Sequence, residues 1–109
     1  AGHCLEMIKP DVGVELKLSM VPVMNGAKES LNSLGISSSL HDANKRSSGL
    51  IGLNLDAEIL FDPQTSGGLL FCVSEKDASV FVPGLIKAGY ANSSIVGRVT
   101  DSRGIQVIG

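Results

Sequence analysis

Residues 57–73 read AEILFDPQTSGGLLFCV, and this segment decides the fold. Two apolar runs, Ala57–Phe61 and Leu69–Val73, have the length and composition of strands. The polar connection between them begins with Asp62-Pro63 and ends with Gly67-Gly68. Proline presets one backbone angle, while the two glycines permit positive φ and close approach by another group. The segment therefore predicts two strands joined by a sharp connection.

The same connection is the strongest candidate for a binding site. Consecutive small residues can point several backbone N–H groups in one direction and so form an anion-binding nest. Asp62, Thr65 and Ser66 can bond nearby backbone groups or a polar ligand. No lysine follows the glycines, so the stretch is not a P-loop. A capped tight turn without a ligand is the alternative interpretation.

The segments before this connection predict a helix, a strand and a second helix. Gly2–Lys9 is expected to be helical up to Pro10. Val12–Val23 alternates apolar and polar residues at its start, which predicts a half-buried strand. A short helix is expected over Gly26–Leu34. Its expected N-cap is Asn25 and its expected C′ residue is Gly35.

The Ser-, Asn- and Gly-rich segment Ile36–Asn54 has no sustained periodicity. We therefore expect an irregular loop there, with Leu50-Ile51 pinned to the core.

After the connection, Ser74–Asp77 resembles a capping box and predicts a helix that ends at Gly89. Pro83-Gly84 in its middle predicts a kink or two short helices, since an interior proline costs about 3 kcal/mol. Ser94–Thr100 and Ile105–Ile108 are expected to form a closing hairpin.

The order of these elements indicates an α+β fold with two layers. We expect a mixed or antiparallel sheet with helices packed on one face. With 109 residues, the chain should form one domain, 1–109. Since no capping residue precedes the first helix, we expect the domain to be part of a longer protein.

Composition excludes several classes of function. A net charge of −2 without a basic patch argues against nucleic-acid partners. No apolar run reaches the roughly 18 residues that span a bilayer, so a membrane role is not expected. Cys4 and Cys72 are too few for a disulfide framework and are expected to be reduced, buried thiols, which is typical of a cytoplasmic protein.

Several stretches together resemble one family. LFDPQTSGGLL (residues 60–70) is similar to the hallmark stretch in the carboxy-terminal half of selenophosphate synthetases (selenide, water dikinases). GHCLEM (residues 2–7) resembles the family's Gly-His-x-x-Glu-Met helix. VPVMNGA (residues 21–27), Asn44 and VGRV (residues 96–99) match further segments in the right order. Asn25 departs from the family pattern, which usually has proline there. The resemblance covers nearly the whole chain.

The resemblance implies a fold like the carboxy-terminal domain of aminoimidazole ribonucleotide synthetase. Selenophosphate synthetases make selenophosphate from selenide and ATP with Mg²⁺, releasing AMP and phosphate. Their amino-terminal domain binds ATP and forms the homodimer, and their carboxy-terminal domain covers the cleft. The implied partner is therefore the missing amino-terminal ATP-binding domain of the same chain. Mg²⁺ and ATP are cofactors of that parent enzyme.

The family's catalytic cysteine or selenocysteine, its lysine and its metal-binding aspartates match no position in this sequence. The resemblance therefore implies no catalytic and no metal-binding residue in this chain, which should be inactive alone and hold no tightly bound cofactor. The candidates for contact with substrate or nucleotide in the cleft are His3, Asn44, Asp62, Gln64, Thr65, Ser66, Gly67 and Gly68.

Three other interpretations remain open at this point. The chain could come from another superfamily member, such as a thiamine-phosphate kinase or a hydrogenase maturation protein, although the Asp-Pro-Gln-Thr string argues against this. It could be a stand-alone α+β module that binds a small ligand or a protein. It could also be a degenerate relative that has lost the activity, since Ser37–Asn44 is unlike the simplest bacterial enzymes.

Overall fold

The computed structural model describes residues 1–50, 53–64 and 66–109. Within them lie four α-helices, three strands and two 3₁₀ helices, which confirms the α+β fold class. The α-helices are α1 (Gly2–Met7), α2 (Ala27–Asn32), α3 (His41–Ser48) and α4 (Glu75–Lys87). The strands are β1 (Gly13–Lys17), β2 (Gly97–Thr100) and β3 (Gly104–Ile108). The 3₁₀ helices are Leu18–Met20 and Leu55–Phe61.

The three strands form a mixed sheet with β1 in the centre. β2 pairs with β1 in the antiparallel direction, and Val14 lies opposite Val99. β3 pairs with β1 in the parallel direction, and Val14 lies opposite Ile105. The predicted closing hairpin is therefore wrong: both of its strands form, but they flank β1 instead of pairing with each other. The alternation of apolar and polar side chains predicts that a segment forms a strand, but not which strand it pairs with. Here β2 pairs with one edge of β1 and β3 with the other.

One face of the sheet carries the core. Val14, Leu16 and Ile105 are buried there with Cys4 of α1. The other face is polar, and Glu15 of β1 makes a two-bond ion pair with Arg98 of β2. This alternation gives a two-layer arrangement in which α1 covers the apolar face.

The predictions for the first two helices hold, with shifted ends. Helix α1 ends at Met7, before Pro10. Helix α2 begins after Gly26, which takes a left-handed conformation (φ 82°) and replaces Asn25 as the N-cap. Gly35 is also left-handed (φ 64°), and the N–H of Ile36 donates to the Ser30 carbonyl at 2.9 Å, as expected for a glycine-terminated helix. The predicted long strand Val12–Val23 is shorter, since the chain turns into a 3₁₀ helix at Leu18.

The expectation of an irregular loop over Ile36–Asn54 is wrong, because α3 lies within it. Gly49 ends this helix in a left-handed conformation (φ 67°). Only His41 and Ser48 of α3 are buried, so the helix has no apolar periodicity for a sequence pattern to detect. Leu50 packs against the core as predicted, whereas Ile51 lies outside the described residues.

The prediction of strands at residues 57–61 and 69–73 is also wrong. The first run belongs to the Leu55–Phe61 3₁₀ helix, whose first turn is capped by the Asn54 side chain, which accepts from the Ala57 N–H at 3.1 Å. A short apolar run fits a buried helix as well as a strand, and this cap favours the helix. Leu69–Val73 has no regular structure and its side chains are exposed.

Helix α4 begins after Ser74, as the capping-box pattern predicts, although Ser74 Oγ bonds the Asp77 carboxylate instead of a backbone N–H. The alternative of two short helices around Pro83-Gly84 is wrong, because α4 continues from Glu75 to Lys87, while a kink within it stays a prediction. Proline removes only one backbone donor, and the remaining helical bonds carry the chain past it.

Candidate functional site

An open cleft of about 460 Å³ lies between α1 and the chain that follows the Leu55–Phe61 helix. The described residues that line it come from these two segments alone. They are His3, Glu6 and Met7 on the α1 side, and Gln64, Ser66, Gly67, Gly68, Leu69 and Leu70 on the other. The fold thus brings His3 and the glycine-rich connection to one site, although about sixty residues separate them in sequence.

On the α1 side, His3 and Glu6 form a surface pair one helical turn apart. His3 Nδ1 lies 3.4 Å from Glu6 Oε2, and both side chains are largely exposed. Exposed pairs of this kind contribute little to stability, about 0–1 kcal/mol. Both side chains are therefore free to turn toward a ligand at small cost.

On the other side, Gln64 Nε2 donates to Asp62 Oδ2 at 2.5 Å. Gln64 lines the cleft, whereas Asp62 is absent from its lining. A Cβ on Gly67 would come within 3.1 Å of the Gln64 Cβ, whereas one on Gly68 would meet nothing within 4 Å. Neither glycine has positive φ, so the freedom that the sequence offers is not used for a tight turn. Thr65 lies outside the described residues.

Two consecutive carbonyls at the end of the Leu55–Phe61 helix anchor both walls of the cleft. The Ala1 nitrogen, at the start of α1, donates to the Leu60 carbonyl at 2.7 Å. Asn44 Nδ2, from α3, donates to the Phe61 carbonyl at 3.0 Å. Asn44 thus lies behind the site and bonds the residue that precedes Asp62, and it is absent from the cleft lining.

A polar cluster that sequence reasoning missed lies beside this anchor. Glu58 bonds His41 Nε2 at 3.0 Å through one oxygen and Lys45 Nζ through the other. His41 is buried, and the Glu58 side chain is only 16% exposed. The hydrogen bond from Lys45, followed by that from His41, lowers the pKa of Glu58 below its ordinary value. His41 and Lys45 are four residues apart, a spacing that places both side chains on one face of a helix. The sequence does not predict a helix here, so it does not predict this pairing.

The two thiols differ in exposure. Cys4 is buried as predicted, and burial raises the pKa of its thiol. Cys72 is exposed, which contradicts the prediction of two buried thiols, because the strand expected to bury it does not form. Both are free cysteines.

The described parts of the chain contain no group of three or more His, Cys, Asp or Glu side chains that could hold a metal ion. Such a group is what a metal site built from protein side chains alone would need. None of the helices within residues 1–50, 53–64 and 66–109 has the length and apolarity to cross a membrane.

The cleft combines hydrogen-bonding groups with the apolar side chains of Met7, Leu69 and Leu70. Gln64 and Ser66 can donate and accept hydrogen bonds, and the open flank of Gly68 admits a group close to the backbone. Such an arrangement suits contact with a polar ligand, and its Leu69 and Leu70 rim suits contact with another protein surface.

These features define the class of protein: an α+β domain in which a helix and a glycine-rich connection form two walls of an open cleft. The chain belongs to the family described as AIR synthase related protein, C-terminal domain, which matches residues 1–109.

Several relatives carry the name selenide, water dikinase. The one from Clostridioides difficile (strain 630) is 34% identical over 104 residues, which cover 90% of this chain and 30% of the relative. The one from Agathobacter rectalis is 31% identical over 115 residues, which cover 97% of this chain and 32% of the relative. The one from Campylobacter jejuni (strain NCTC 11168) is 37% identical over 78 residues, which cover 71% of this chain and 23% of the relative.

The resemblance to selenide, water dikinases that the motifs indicate is thereby confirmed. The chain spans about a third, or less, of the length of the relatives it matches. No solved structure shows a significant match.

Proposed function

We propose that this chain serves as the cleft-covering domain of a selenide, water dikinase, the enzyme that makes selenophosphate from selenide and ATP. The observation that carries the proposal is the meeting of His3 and the Gln64–Gly68 connection at one cleft. Both belong to stretches that resemble the dikinase family, and the similarity to enzymes of that name extends over most of the chain.

In this proposal the chain supplies binding surface and the rest of the enzyme supplies the chemistry. Phosphoryl transfer depends on positioned metal ions and phosphate-binding groups. An amino-terminal ATP-binding domain would hold ATP and Mg²⁺ and would form the homodimer. The contribution of this chain is to close the cleft from one side, with Gln64, Ser66 and the backbone at Gly68 directed at bound substrate.

The exposed apolar surface around α4 supports the proposal that a partner domain binds this chain. Leu69 is 93% exposed, and Phe71 and Phe81 contact each other edge to face while each remains about half exposed. Exposed apolar patches of this kind mark protein interaction sites. An amino-terminal domain of the same enzyme is the proposed partner.

A fusion enzyme tests the proposal. The chain replaces the aligned carboxy-terminal segment of the Clostridioides difficile relative, and AMP formation is measured with selenide, ATP and Mg²⁺. We expect selenide-dependent AMP formation by the fusion and none by the amino-terminal part alone. A fusion that is folded and dimeric but forms no AMP would contradict the proposal.

The purified 109-residue chain tests whether the catalytic groups lie outside this chain, as proposed. With selenide, ATP and Mg²⁺, the chain alone is expected to form no AMP above the rate without protein, because the proposal assigns the metal- and phosphate-binding groups to the amino-terminal domain. AMP formation that rises in proportion to the concentration of the chain would show that it carries catalytic groups of its own.

A further inference from the structure

We propose that His41, Asn44 and Lys45 of α3 are positioning residues that hold the glycine-rich wall of the cleft in place. The inference deepens the proposed function and rests on it for its enzymatic consequence. None of the three side chains lines the cleft, and each acts through the Leu55–Phe61 helix.

The first contact acts on the backbone where the connection begins. Asn44 Nδ2 donates to the Phe61 carbonyl at 3.0 Å, and the next peptide N–H, that of Asp62, donates to the Ile59 carbonyl at 3.3 Å. Phe61 itself is only 1% exposed. The chain therefore leaves a fixed point at Phe61 and reaches Gln64, which lines the cleft, within three residues.

The second contact is electrostatic. Glu58 lies one helical turn before Phe61 and accepts hydrogen bonds from His41 and Lys45, one on each carboxylate oxygen. A half-buried carboxylate that loses one of its partners keeps the cost of its own desolvation. The two hydrogen bonds therefore favour the contact of α3 with the Leu55–Phe61 helix.

The third contact is packing around the Phe61 ring. The His41 ring meets it edge to face, with centroids 5.9 Å apart, and Lys45 Nζ lies 5.8 Å from its centre. His41 Nδ1 is buried and has no hydrogen-bond partner among the described residues. The ring is therefore oriented through Nε2, which donates to the ionised Glu58 carboxylate.

A matched pair of variants separates the hydrogen bond from the ring packing. His41→Phe keeps an aromatic ring against Phe61 and removes the donor, whereas His41→Gln keeps an N–H donor close to the position of Nε2. Lys45→Met is a second test at a side chain that is 40% exposed and whose loss leaves the core intact. Arg46→Met is the control, since it removes an exposed charge from the same helix.

The readout is the amide spectrum of the ¹⁵N-labelled 109-residue chain. We expect His41→Phe and Lys45→Met to move the Gly67 and Gly68 signals and to raise the exchange rate of the Asp62 amide roughly tenfold, the scale of a lost charge-assisted hydrogen bond. Val14 and Ile105, which belong to the core, should keep their signals. His41→Gln, which keeps the donor but loses the ring contact, should leave the Gly67 and Gly68 signals closer to wild type than His41→Phe does, and Arg46→Met should match the wild type.

Unchanged Gly67 and Gly68 signals in the folded variants would overturn the inference. Equal changes at Val14 and Ile105 would overturn it as well, because they would show a general structural role. Since these spectra require no catalysis, an inactive fusion enzyme would contradict the proposed function without changing this result. In an active fusion, Lys45→Met should raise the KM for ATP, and His41→Gln should not.

Discussion

The ionisation of Glu58, a half-buried carboxylate, is coupled to folding. Its pKa is lowered by the hydrogen bonds from Lys45 and His41, which favour the ionised form over the protonated form. A carboxylate with a lowered pKa in the folded state contributes stability above its ordinary pKa of 4.5. That contribution is lost as the pH falls through the lowered value.

We therefore expect wild type and Glu58→Gln to differ in a pH-dependent way. Above pH 4.5 the wild type should have the larger free energy of unfolding, and the difference should shrink steadily below that pH. Urea unfolding of both proteins across this range measures the difference directly. A difference that stays constant or grows as the pH falls would contradict the role assigned to Glu58.

Motif resemblance predicts a set of candidate cleft residues, but not the contacts that support them. His3, Gln64, Ser66, Gly67 and Gly68 are predicted as cleft residues from motif resemblance, and the fold places them around one cleft. The sequence does not predict the cluster of His41, Lys45 and Glu58. Polar residues of these types are usually exposed, and only the position of α3 in the fold shows that His41 is buried.

At the scale of elements, α4 is a helix held by few contacts. None of its residues is buried, and Pro83 leaves the Ser79 carbonyl without its usual helical donor. Acidic residues in the first turn (Glu75 and Asp77) and Lys87 in the last turn favour the helix through its dipole and offset part of this loss.

Replacing Pro83 with alanine should therefore strengthen α4. The intrinsic gain in a helix interior is about 3 kcal/mol, and we expect part of it to appear as slower amide exchange from Val82 to Lys87. Gly84→Ala should act in the same direction by about 0.5–1 kcal/mol, since a Cβ there meets nothing within 4 Å. Faster exchange in the alanine variants would show that the proline shape is needed for packing.

An element is predictable from the sequence when local residues stabilise it, and not when distant contacts do. Helix α2 and strand β1 carry local signals, a glycine stop and an alternating pattern, and both were predicted. Helix α3 is held by contacts with other elements, so its polar sequence predicts a loop. The partners of β2 and β3 depend on β1, which is distant in sequence, and no local pattern encodes that choice.

At the scale of the molecule, the sheet and α1 form the stable body, and the cleft lies at its edge. Val14, Leu16, Ile105 and Cys4 hold this body together. The segment after the cleft, from Leu69 through α4, presents apolar side chains to solvent. The proposed partner domain would cover this exposed apolar surface.

The most direct measurement is the rate of selenide-dependent AMP formation by the fusion enzyme with Gly68 changed to valine. A Cβ at this position would meet nothing within 4 Å, so we expect the chain to fold normally. We expect the rate to fall roughly ten- to hundredfold through misplaced substrate, while Gly84→Ala leaves it unchanged. A Gly68→Val fusion that retains the full rate would contradict the claim that this cleft faces the substrate.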